Sequence, residues 1–420
     1  MLLFRRAKTW LSMLGPGLIT GASDDDPSGI ATYAQVGAQF AYGMGWVMLF
    51  SYPLMAGIQE ISARIGRVTG QGIAGNIRAH YPMPLVRAVV GLLIAANIVN
   101  LGADLGAMAD ALKLLVGGPA HLYVAGFAIL CVALEIFCRY ARYVSILKWL
   151  TTALLAYVAV AFVVQVPWER VLIATLVPHI SLQRDAVVAM VAILGTTISP
   201  YMFFWQASQE AENEHETPGE LPLIDAPEQA PRQMHRIRFD TYIGMGLSNL
   251  VSLFIIVTAA ATLNAHGVTD IKTSAQAAEA LRPLAGEFSF ALFAAGIVGT
   301  GMLAVPVLAG SAAYALAEAL GWPSGLARLP LQAKSFYGAI AAATLIGVGI
   351  DLVGLDPIKA LFWAAVLNGV VAVPLMVMMM IMTARRAVMG AFTLPPALSL
   401  LGWTSTLVMA AVVAAMFVTW

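Results

Sequence analysis

Long apolar runs separated by short polar segments follow one another along almost all of this 420-residue chain. An α-helix needs about 20 apolar residues to cross the hydrocarbon core of a bilayer. Applied to this chain, that rule predicts eleven membrane-spanning helices. The predicted spans lie near residues 11–40, 44–66, 86–112, 119–138, 143–166, 185–214, 238–264, 286–319, 335–355, 358–384 and 396–418. The pattern indicates an all-α, polytopic membrane protein built as a single transmembrane domain.

Composition supports this assignment. The chain is 60% apolar and only 11% charged, whereas soluble domains are about 45–50% apolar and about 25% charged. Lipid must therefore cover much of the surface. The formal net charge is zero, which argues against a nucleic-acid partner. The lipid bilayer is the expected surrounding, and the sequence leaves the oligomeric state open.

The basic residues are distributed unevenly over the predicted loops. Seventeen of the 23 lysines and arginines fall on the side of the N-terminus, and six fall on the other side. Basic residues concentrate on the cytoplasmic side of membrane proteins, so we expect a cytoplasmic N-terminus and an external C-terminus in a plasma (inner) membrane. Three acids near cytoplasmic span ends are expected to pair with nearby arginines: Glu60 with Arg64, Glu135 with Arg139, and Glu318 with Arg328.

One predicted cytoplasmic connection, residues 209–232, is rich in acids and proline. It holds seven acidic residues, one histidine and four prolines. Such segments are typical of solvated linkers, and we interpret it in that way. A metal-sensing loop is the alternative, with the ligands Glu210, Glu212, Glu214, His215 and Glu216.

Two predicted spans are interrupted by proline at mid-depth. The first carries the sequence DDDP at residues 24–27, and the sixth carries GTTISP at residues 195–200. Proline removes a backbone donor and clashes with the preceding turn, so each helix should unwind there. A structural kink is an equally good explanation for the sixth span alone. It does not explain three carboxylates in the first span, because acids within a membrane are costly and usually functional.

The interruptions lie five spans apart, and an odd offset gives the two helices opposite directions across the membrane. This is the arrangement of an inverted five-plus-five repeat, in which broken helices meet at the midplane and unwound carbonyls bind ions. The carboxyl ends of half-helices carry partial negative charge, which suits a cation. The first repeat is predicted at about 11–166 and the second at about 185–384, with an extra span at 396–418.

The residues around the breaks are similar to those of a known family. GPGLITGASDDDPSGIATYAQVGAQFAYG resembles the first span of the Nramp divalent-metal transporters, whose hallmark there is Asp-Pro-Gly-Asn. IQEISARIGRVTGQGIA is similar to that family's second span and the loop after it. Pro200 falls where the family carries Ala-x-x-Met-Pro-His. The likeness is specific over residues 14–76 and 194–208, and it implies a LeuT-type fold, alternating access and divalent-metal transport.

The chain also departs from the family pattern. Asp26 keeps the carboxylate ligand, but Gly29 replaces the asparagine ligand and Ser199 replaces the methionine. Tyr201 stands where the family has histidine. On span 3, Asp104 matches an acid used in proton release, whereas its acidic partner is Ala107 here. The arginine pair of span 9 is missing, and only Lys334 stands at its start.

These departures suggest a different ion. A thioether favours soft transition metals, whereas Mg²⁺ prefers oxygen ligands and keeps several waters. Small residues at positions 29 and 199 are expected to open volume for a largely hydrated ion, and the weakened relay argues against proton coupling. The changes are similar to those of the Nramp-related magnesium transporters. We therefore expect transport of Mg²⁺, and also Mn²⁺, with no cofactor beyond the transported cation.

The candidate site has two groups of residues. The expected metal ligands are Asp26, Asp25, Ser199, Gly195 and Thr196. The residues expected to support them or line a vestibule are Ser28, Gly29, Pro27, Pro200, Tyr201, Gln206, Asp104 and Asn368. For Asn368, a helix–helix hydrogen bond is an equally good role.

Three other functions are possible. A proton-coupled Mn²⁺/Fe²⁺ transporter of the ordinary Nramp type is disfavoured by the absent methionine and arginine pair. A symporter for organic solutes would bind an anionic group that the three aspartates repel. An enzyme is not expected, because the sequence shows neither a nucleophile–base pair nor a zinc-ligand spacing.

Overall fold

A computed structural model describes residues 16–138, 152–351 and 356–419. Two predicted spans begin before the described ranges, and their residues 11–15 and 143–151 lie outside them. The C-terminal end of the ninth predicted span, residues 352–355, also lies outside.

The described chain folds into α-helices joined by short connections. In the first half these are α1 Pro16–Asp24, α2 Pro27–Phe40, α3 Gly45–Thr69, α4 Ile73–His80, α5 Met83–Val116, α6 Ala120–Phe137, α7 Leu155–Val163 and α8 Trp168–Leu176. In the second half they are α9 Arg184–Thr197, α10 Pro200–Glu216, α11 Ala230–Thr262, α12 Ser274–Glu279, α13 Arg282–Ala285, α14 Ser289–Leu320, α15 Lys334–Asp351, α16 Pro357–Thr383, α17 Arg386–Met389 and α18 Pro396–Thr419.

The predicted all-α membrane fold is confirmed. Seven helical segments within the described residues are long and apolar enough to cross a membrane: Met83–Val116, Ala120–Phe137, Arg184–Glu216, Pro227–His266, Arg282–Leu320, Pro357–Thr383 and Pro396–Thr419. The four other predicted spans correspond to the broken pair α1–α2 and to α3, α7 and α15. The first predicted span is not among the seven because its break divides it into two helices, each too short to cross a membrane alone.

The long helices pack as two groups. In one group α11 lies against α1, α2 and α3, and α10 lies against α3. In the other group α5 packs against α6, α14 and α15. Helix α16 contacts α5 from one group and α2 and α9 from the other. The two broken helices therefore belong to one group. Helices α5 and α16 lie next to the breaks, on the side that faces the other group.

Proline defines both breaks. Asp25 and Asp26 separate α1 from α2, and Ile198 and Ser199 separate α9 from α10. In each case proline is the first residue of the second half-helix, a position that needs no backbone donor. The residue before each proline is extended, the conformation that a following proline favours, with ψ of 171° at Asp26 and 134° at Ser199. The predicted inverted repeat with discontinuous first and sixth helices, plus an eleventh span, is confirmed.

The acidic segment 209–232 differs from the predicted solvated linker. Helix α10 continues through it to Glu216, and α11 begins at Ala230. Glu210 is fully buried and pairs with Arg236. Glu220 forms an ion pair with the buried Arg67, and its Oε2 lies 2.9 Å from Nη1 of the arginine. Glu210 and Glu220 therefore pair with basic residues of α11 and α3, and the segment folds onto the helices.

Candidate cation site

The break between α1 and α2 places three consecutive carboxyl groups inside the protein. Asp24, Asp25 and Asp26 are exposed by only 1%, 5% and 2%. Asp26 is the N-cap of α2, and its Oδ1 accepts a hydrogen bond of 2.7 Å from the amide of Gly29. This cap orients the Asp26 carboxyl group at the positive end of the half-helix.

The other oxygen of Asp26 faces α5. Asn100 donates from its Nδ2 to Asp26 Oδ2 at 3.2 Å and to Asp104 Oδ2 at 3.1 Å. The Oδ1 atom of Asn100 accepts from Asn368 on α16 at 3.0 Å. Asp104 Oδ1 and the amide oxygen of Asn368 are buried and have no hydrogen-bond partner. Four side chains from three helices thus form one oxygen-rich cluster, which we call the α5-side cluster.

Asp24 and Asp25 face α11 instead. Ser248 Oγ lies 2.5 Å from Asp24 Oδ2 and 3.2 Å from Asp25 Oδ1. Ser252, one turn further along α11, lies 3.2 Å from the same Asp25 oxygen. Asp24 Oδ1 is buried and has no hydrogen-bond partner. The three aspartates therefore diverge, one towards α5 and two towards α11.

The break between α9 and α10 presents backbone carbonyls and hydroxyls. The Ser199 hydroxyl turns back to the end of α9, where the carbonyl oxygens of Gly195 and Thr196 lie 2.6 Å and 2.8 Å away. One hydroxyl proton serves one of them at a time, so a carbonyl and the lone pairs of Ser199 stay open to a cation. Gly195 is itself in close contact with α16, since a Cβ atom there would lie 2.0 Å from the carbonyl oxygen of Ala365.

Two hydrogen bonds join the breaks. Tyr33 of α2 and Thr196 of α9 share a hydrogen bond of 2.7 Å between their hydroxyl groups. Tyr201 of α10 donates to the carbonyl oxygen of Ser23, near the end of α1, at 3.0 Å. The two interruptions therefore face each other at one place in the fold.

Most predicted supporting residues lie in this region, with roles that the structure specifies. Pro27, Ser28 and Pro200 are buried in the first turns of α2 and α10. Gln206 is fully buried, accepts from Gln59 at 2.5 Å and donates to Thr241 at 3.0 Å. It links α3, α10 and α11 below the break and does not line an open vestibule in this structure.

The expectation that Gly29 opens volume for a hydrated ion is not met in this structure. A Cβ atom at this position would meet the carbonyl oxygen of Asp24 at 3.1 Å and the ring of Tyr33 at 3.3 Å. The space that the missing side chain frees is filled because the end of α1 closes onto the first turn of α2. Together with the burial of all three aspartates, this contact shows that the site is shielded from solvent in this structure.

The sequence interpretation missed Asn100 and the two serines of α11. Each lies on a polar stripe of helical spacing: Asn97, Asn100 and Asp104 on α5, and Ser248 and Ser252 on α11. Residues three or four apart share one face of a helix, so the spacing of these polar residues indicated that they lie together on one face. It did not reveal which face pointed towards the breaks.

The site concentrates negative charge without basic partners. None of the ion pairs formed by the described residues involves Asp24, Asp25, Asp26 or Asp104. Within the same residues, no three histidine, cysteine, aspartate or glutamate side chains converge as a metal-binding group. The donors for a cation are thus pairs of carboxyl groups supplemented by amide, hydroxyl and carbonyl oxygens.

A row of polar contacts joins α10 to α14 on the predicted cytoplasmic side. Ser208 donates to Glu318 at 2.7 Å, and the Tyr314 hydroxyl bonds to Glu212. Glu212 also accepts from the amides of Leu326 and Ala327, after α14. We call these contacts the α10–α14 latch. They connect the group of helices that carries the breaks to the other group.

The latch corrects one expected ion pair. Glu318 does not pair with Arg328 but accepts from Ser208 and from the amide of Gly75 at 3.0 Å. The expected pair of Glu60 and Arg64 is confirmed, at 2.6 Å. The third expected pair, Glu135 with Arg139, involves a residue outside the described ranges.

Membrane-crossing helices, an inverted repeat and buried carboxyl groups at two facing helix breaks define a membrane transporter of the discontinuous-helix class. Comparisons with known proteins agree. The sequence pattern of the family described as Natural resistance-associated macrophage protein-like (Nramp) matches residues 17–419. The chain therefore belongs to the Nramp family, and it is a transporter and not an enzyme.

Individual proteins give the same result. The Divalent metal cation transporter MntH of Deinococcus radiodurans is 27% identical over 416 residues, covering 97% of this chain and 89% of that protein. The crystal structure of the Eremococcus coleocola manganese transporter has a TM-score of 0.74 at 17% identity, covering 97% of this chain and 87% of that one. Mhp1, a nucleobase-cation-symport-1 family transporter, has a TM-score of 0.57 at 12% identity, covering 97% of this chain and 92% of that one. These structures share the fold.

Proposed function

We propose that this protein transports divalent metal cations across a plasma membrane, and that Mg²⁺, with Mn²⁺, is its substrate. The observation that carries the proposal is the set of four buried carboxyl groups, Asp24, Asp25, Asp26 and Asp104, which have no basic partner in the described structure. Ionised carboxyl groups in a low-dielectric interior are costly unless their charge is offset, and a bound cation would offset it. The relatives named as divalent metal cation and manganese transporters support the same substrate class.

Asp26 is proposed as the first ligand, with the oxygens of Ser199, Gly195 and Thr196 from the facing break. Asp104, Asn100 and Asn368 complete the oxygen shell from the side of α5 and α16. Oxygen donors suit hard cations such as Mg²⁺, and Ser199 supplies no sulfur where a thioether would favour a softer metal. This donor set supports the proposed likeness to the Nramp-related magnesium transporters.

The ion is proposed to enter with most of its water shell, since Mg²⁺ loses water reluctantly. The site is too tightly closed here for a hydrated ion, so binding requires an opened conformation of the alternating-access cycle. Opening towards the predicted cytoplasm would separate α10 from α14 and break the latch. The predicted orientation, with the N-terminus inside and the C-terminus outside, places the latch at the inner surface.

Transport is proposed to proceed without proton coupling. Helix α15 contains no arginine, and Ala107 is buried where a second acid would continue from Asp104. Proton release through a chain of titratable groups needs such partners. The remaining buried acids of the α5-side cluster are instead available to the metal ion.

A second candidate is proton-coupled Mn²⁺/Fe²⁺ transport of the ordinary Nramp type. Met108 favours it, because this residue lies one turn beyond Asp104 and its sulfur packs against Gly301, which also borders Pro27. A thioether near the break would bind a softer metal. The name of the Eremococcus coleocola manganese transporter also favours Mn²⁺.

The test is uptake into proteoliposomes, comparing Mg²⁺ with Mn²⁺ while a dye reports the internal pH. Asp26→Asn is the informative variant, because asparagine caps a helix as well as aspartate does but carries no charge. Asp356→Asn is the matched control, since Asp356 caps α16 in the same way. We expect Mg²⁺ uptake at constant internal pH, lost in Asp26→Asn and kept in Asp356→Asn.

Other results would redirect the assignment. Uptake of Mn²⁺ alone, with acidification of the lumen, would support the second candidate. Mg²⁺ uptake that Asp26→Asn leaves intact would contradict the proposed role of Asp26.

A further inference from the structure

The carboxyl groups of Asp24 and Asp25 form a pocket of oxygen atoms separate from the α5-side cluster. Both face the serines of α11, whereas Asp26 faces Asn100 on α5. The two sets lie on opposite sides of the unwound segment. The hydrogen bonds of the α5-side cluster join Asp26, Asn100, Asp104 and Asn368 and involve no residue of α11.

The hydrogen bonds available in this pocket do not satisfy its acceptors. Ser248 and Ser252 have one hydroxyl proton each. Ser248 lies within bonding distance of both aspartates, and Ser252 lies within bonding distance of Asp25 and, at 3.0 Å, of the Ser248 carbonyl oxygen. Two protons thus face four possible contacts. Asp24 Oδ1 has no partner at all, although Asp24 is 99% buried.

Charge gives the pocket its chemical class. When both are ionised, the two adjacent carboxyl groups supply a charge of −2, and no basic side chain pairs with either in the described structure. One divalent cation would neutralise this charge, whereas one monovalent cation would leave a buried negative charge. The donors are carboxylate and hydroxyl oxygens only, which hard divalent ions prefer.

We infer that Asp24, Asp25, Ser248 and Ser252 form a second divalent-cation subsite beside the one centred on Asp26. In it, the unpartnered Asp24 Oδ1 and the shared Asp25 Oδ1 bind the ion, and the serine oxygens turn their lone pairs towards it. The inference rests on the proposed function, because it gives the transported ion two neighbouring positions along its path. Neighbouring divalent ions held by shared carboxylates are a common arrangement in proteins.

Binding stoichiometry tests the subsite directly. Purified full-length protein in detergent is titrated with Mn²⁺, and the free ion is measured by its electron paramagnetic resonance signal. We expect two Mn²⁺ bound per chain in the unaltered protein. The double variant Ser248→Ala/Ser252→Ala should bind one, and Asp26→Asn should also bind one, from the other subsite. Ser405→Ala is the matched control, since this buried serine of α18 has a hydroxyl without a hydrogen-bond partner.

The outcomes separate this inference from the proposed function. One Mn²⁺ in the unaltered protein, abolished by Asp26→Asn, would overturn the second subsite and leave the proposed function intact. No bound Mn²⁺ in a folded protein would count against divalent-cation transport itself. Two Mn²⁺ retained in the double serine variant would show that the second position lies elsewhere. If the double variant does not fold, the loss of one ion in Asp26→Asn alone still distinguishes two sites from one.

Discussion

The close approach of α9 and α16 at Gly195 predicts a specific effect of one added methyl group. In Gly195→Ala the new Cβ atom would lie 2.0 Å from the carbonyl oxygen of Ala365 and 2.6 Å from the amide nitrogen of Gly369. Both obstacles are backbone atoms, so no side-chain rotation relieves the contact. Reaching an ordinary contact of 3.4 Å requires the helices to separate by about 1.4 Å.

That separation has an energetic and a functional consequence. Overpacking of this kind destabilises a protein by about 1–3 kcal/mol. Asn368 lies between Ala365 and Gly369 on α16, so the shift also disturbs its hydrogen bond of 3.0 Å to Asn100. The carbonyl oxygens at the end of α9 move away from Asp26 at the same time. We therefore expect both a lower unfolding temperature and a lower rate of uptake.

The assay is thermal unfolding of purified protein in detergent, followed by uptake into proteoliposomes. Gly349→Ala is the matched control, because a Cβ atom at this helical position of α15 would meet nothing within 4 Å. Alanine is a better helix former than glycine by about 0.5–1 kcal/mol, so the control should be neutral or slightly more stable. Equal unfolding temperatures and equal uptake for Gly195→Ala and the control would refute the reasoning.

Two further predictions concern the ion and the latch. Ser199→Met adds a thioether at the second break, so the ratio of Mn²⁺ to Mg²⁺ uptake in a competition assay should rise several-fold; an unchanged ratio would show that this position does not contact the ion. Glu212→Ala removes the acceptor of the Ala327 amide, whereas the Leu326 amide keeps the Tyr314 hydroxyl as an acceptor. Hydrogen bonds to a charged group contribute about 1.5–3 kcal/mol, so hydrogen exchange at the Ala327 amide should accelerate about tenfold or more. Mass spectrometry measures it, and exchange as slow as in the unaltered protein would contradict the latch.

Much of the architecture could be predicted from the sequence because a bilayer imposes simple rules. Backbone polar groups in lipid must be satisfied within helices, so each apolar run predicts one span. Proline within two of these runs predicted where the helices break, since its ring disfavours helical conformation in the preceding residue, although Pro53, Pro306 and Pro374 lie inside continuous helices. Asp26 could be proposed as a ligand because it immediately precedes such a proline and keeps the carboxylate of the family pattern.

The partners of the aspartates were decided only by the tertiary structure. Asp24, Asp25 and Asp26 are adjacent in sequence, yet two of them face α11 and one faces α5, because an unwound backbone turns successive side chains in different directions. Gly29 was expected to open space, but the packing of Asp24 and Tyr33 fills it.

The polar stripes of α5 and α11 were visible in the sequence, but their facing was not. In a membrane helix the side that faces lipid and the side that faces other helices are both apolar, so hydrophobic periodicity cannot indicate which face is internal. Asn100 and Ser248 therefore became identifiable only when the packing of neighbouring helices brought them against the first break. The sequence by itself determined the helices and their breaks, and the tertiary structure decided which oxygens meet at the first break, since those atoms come from helices far apart in the chain.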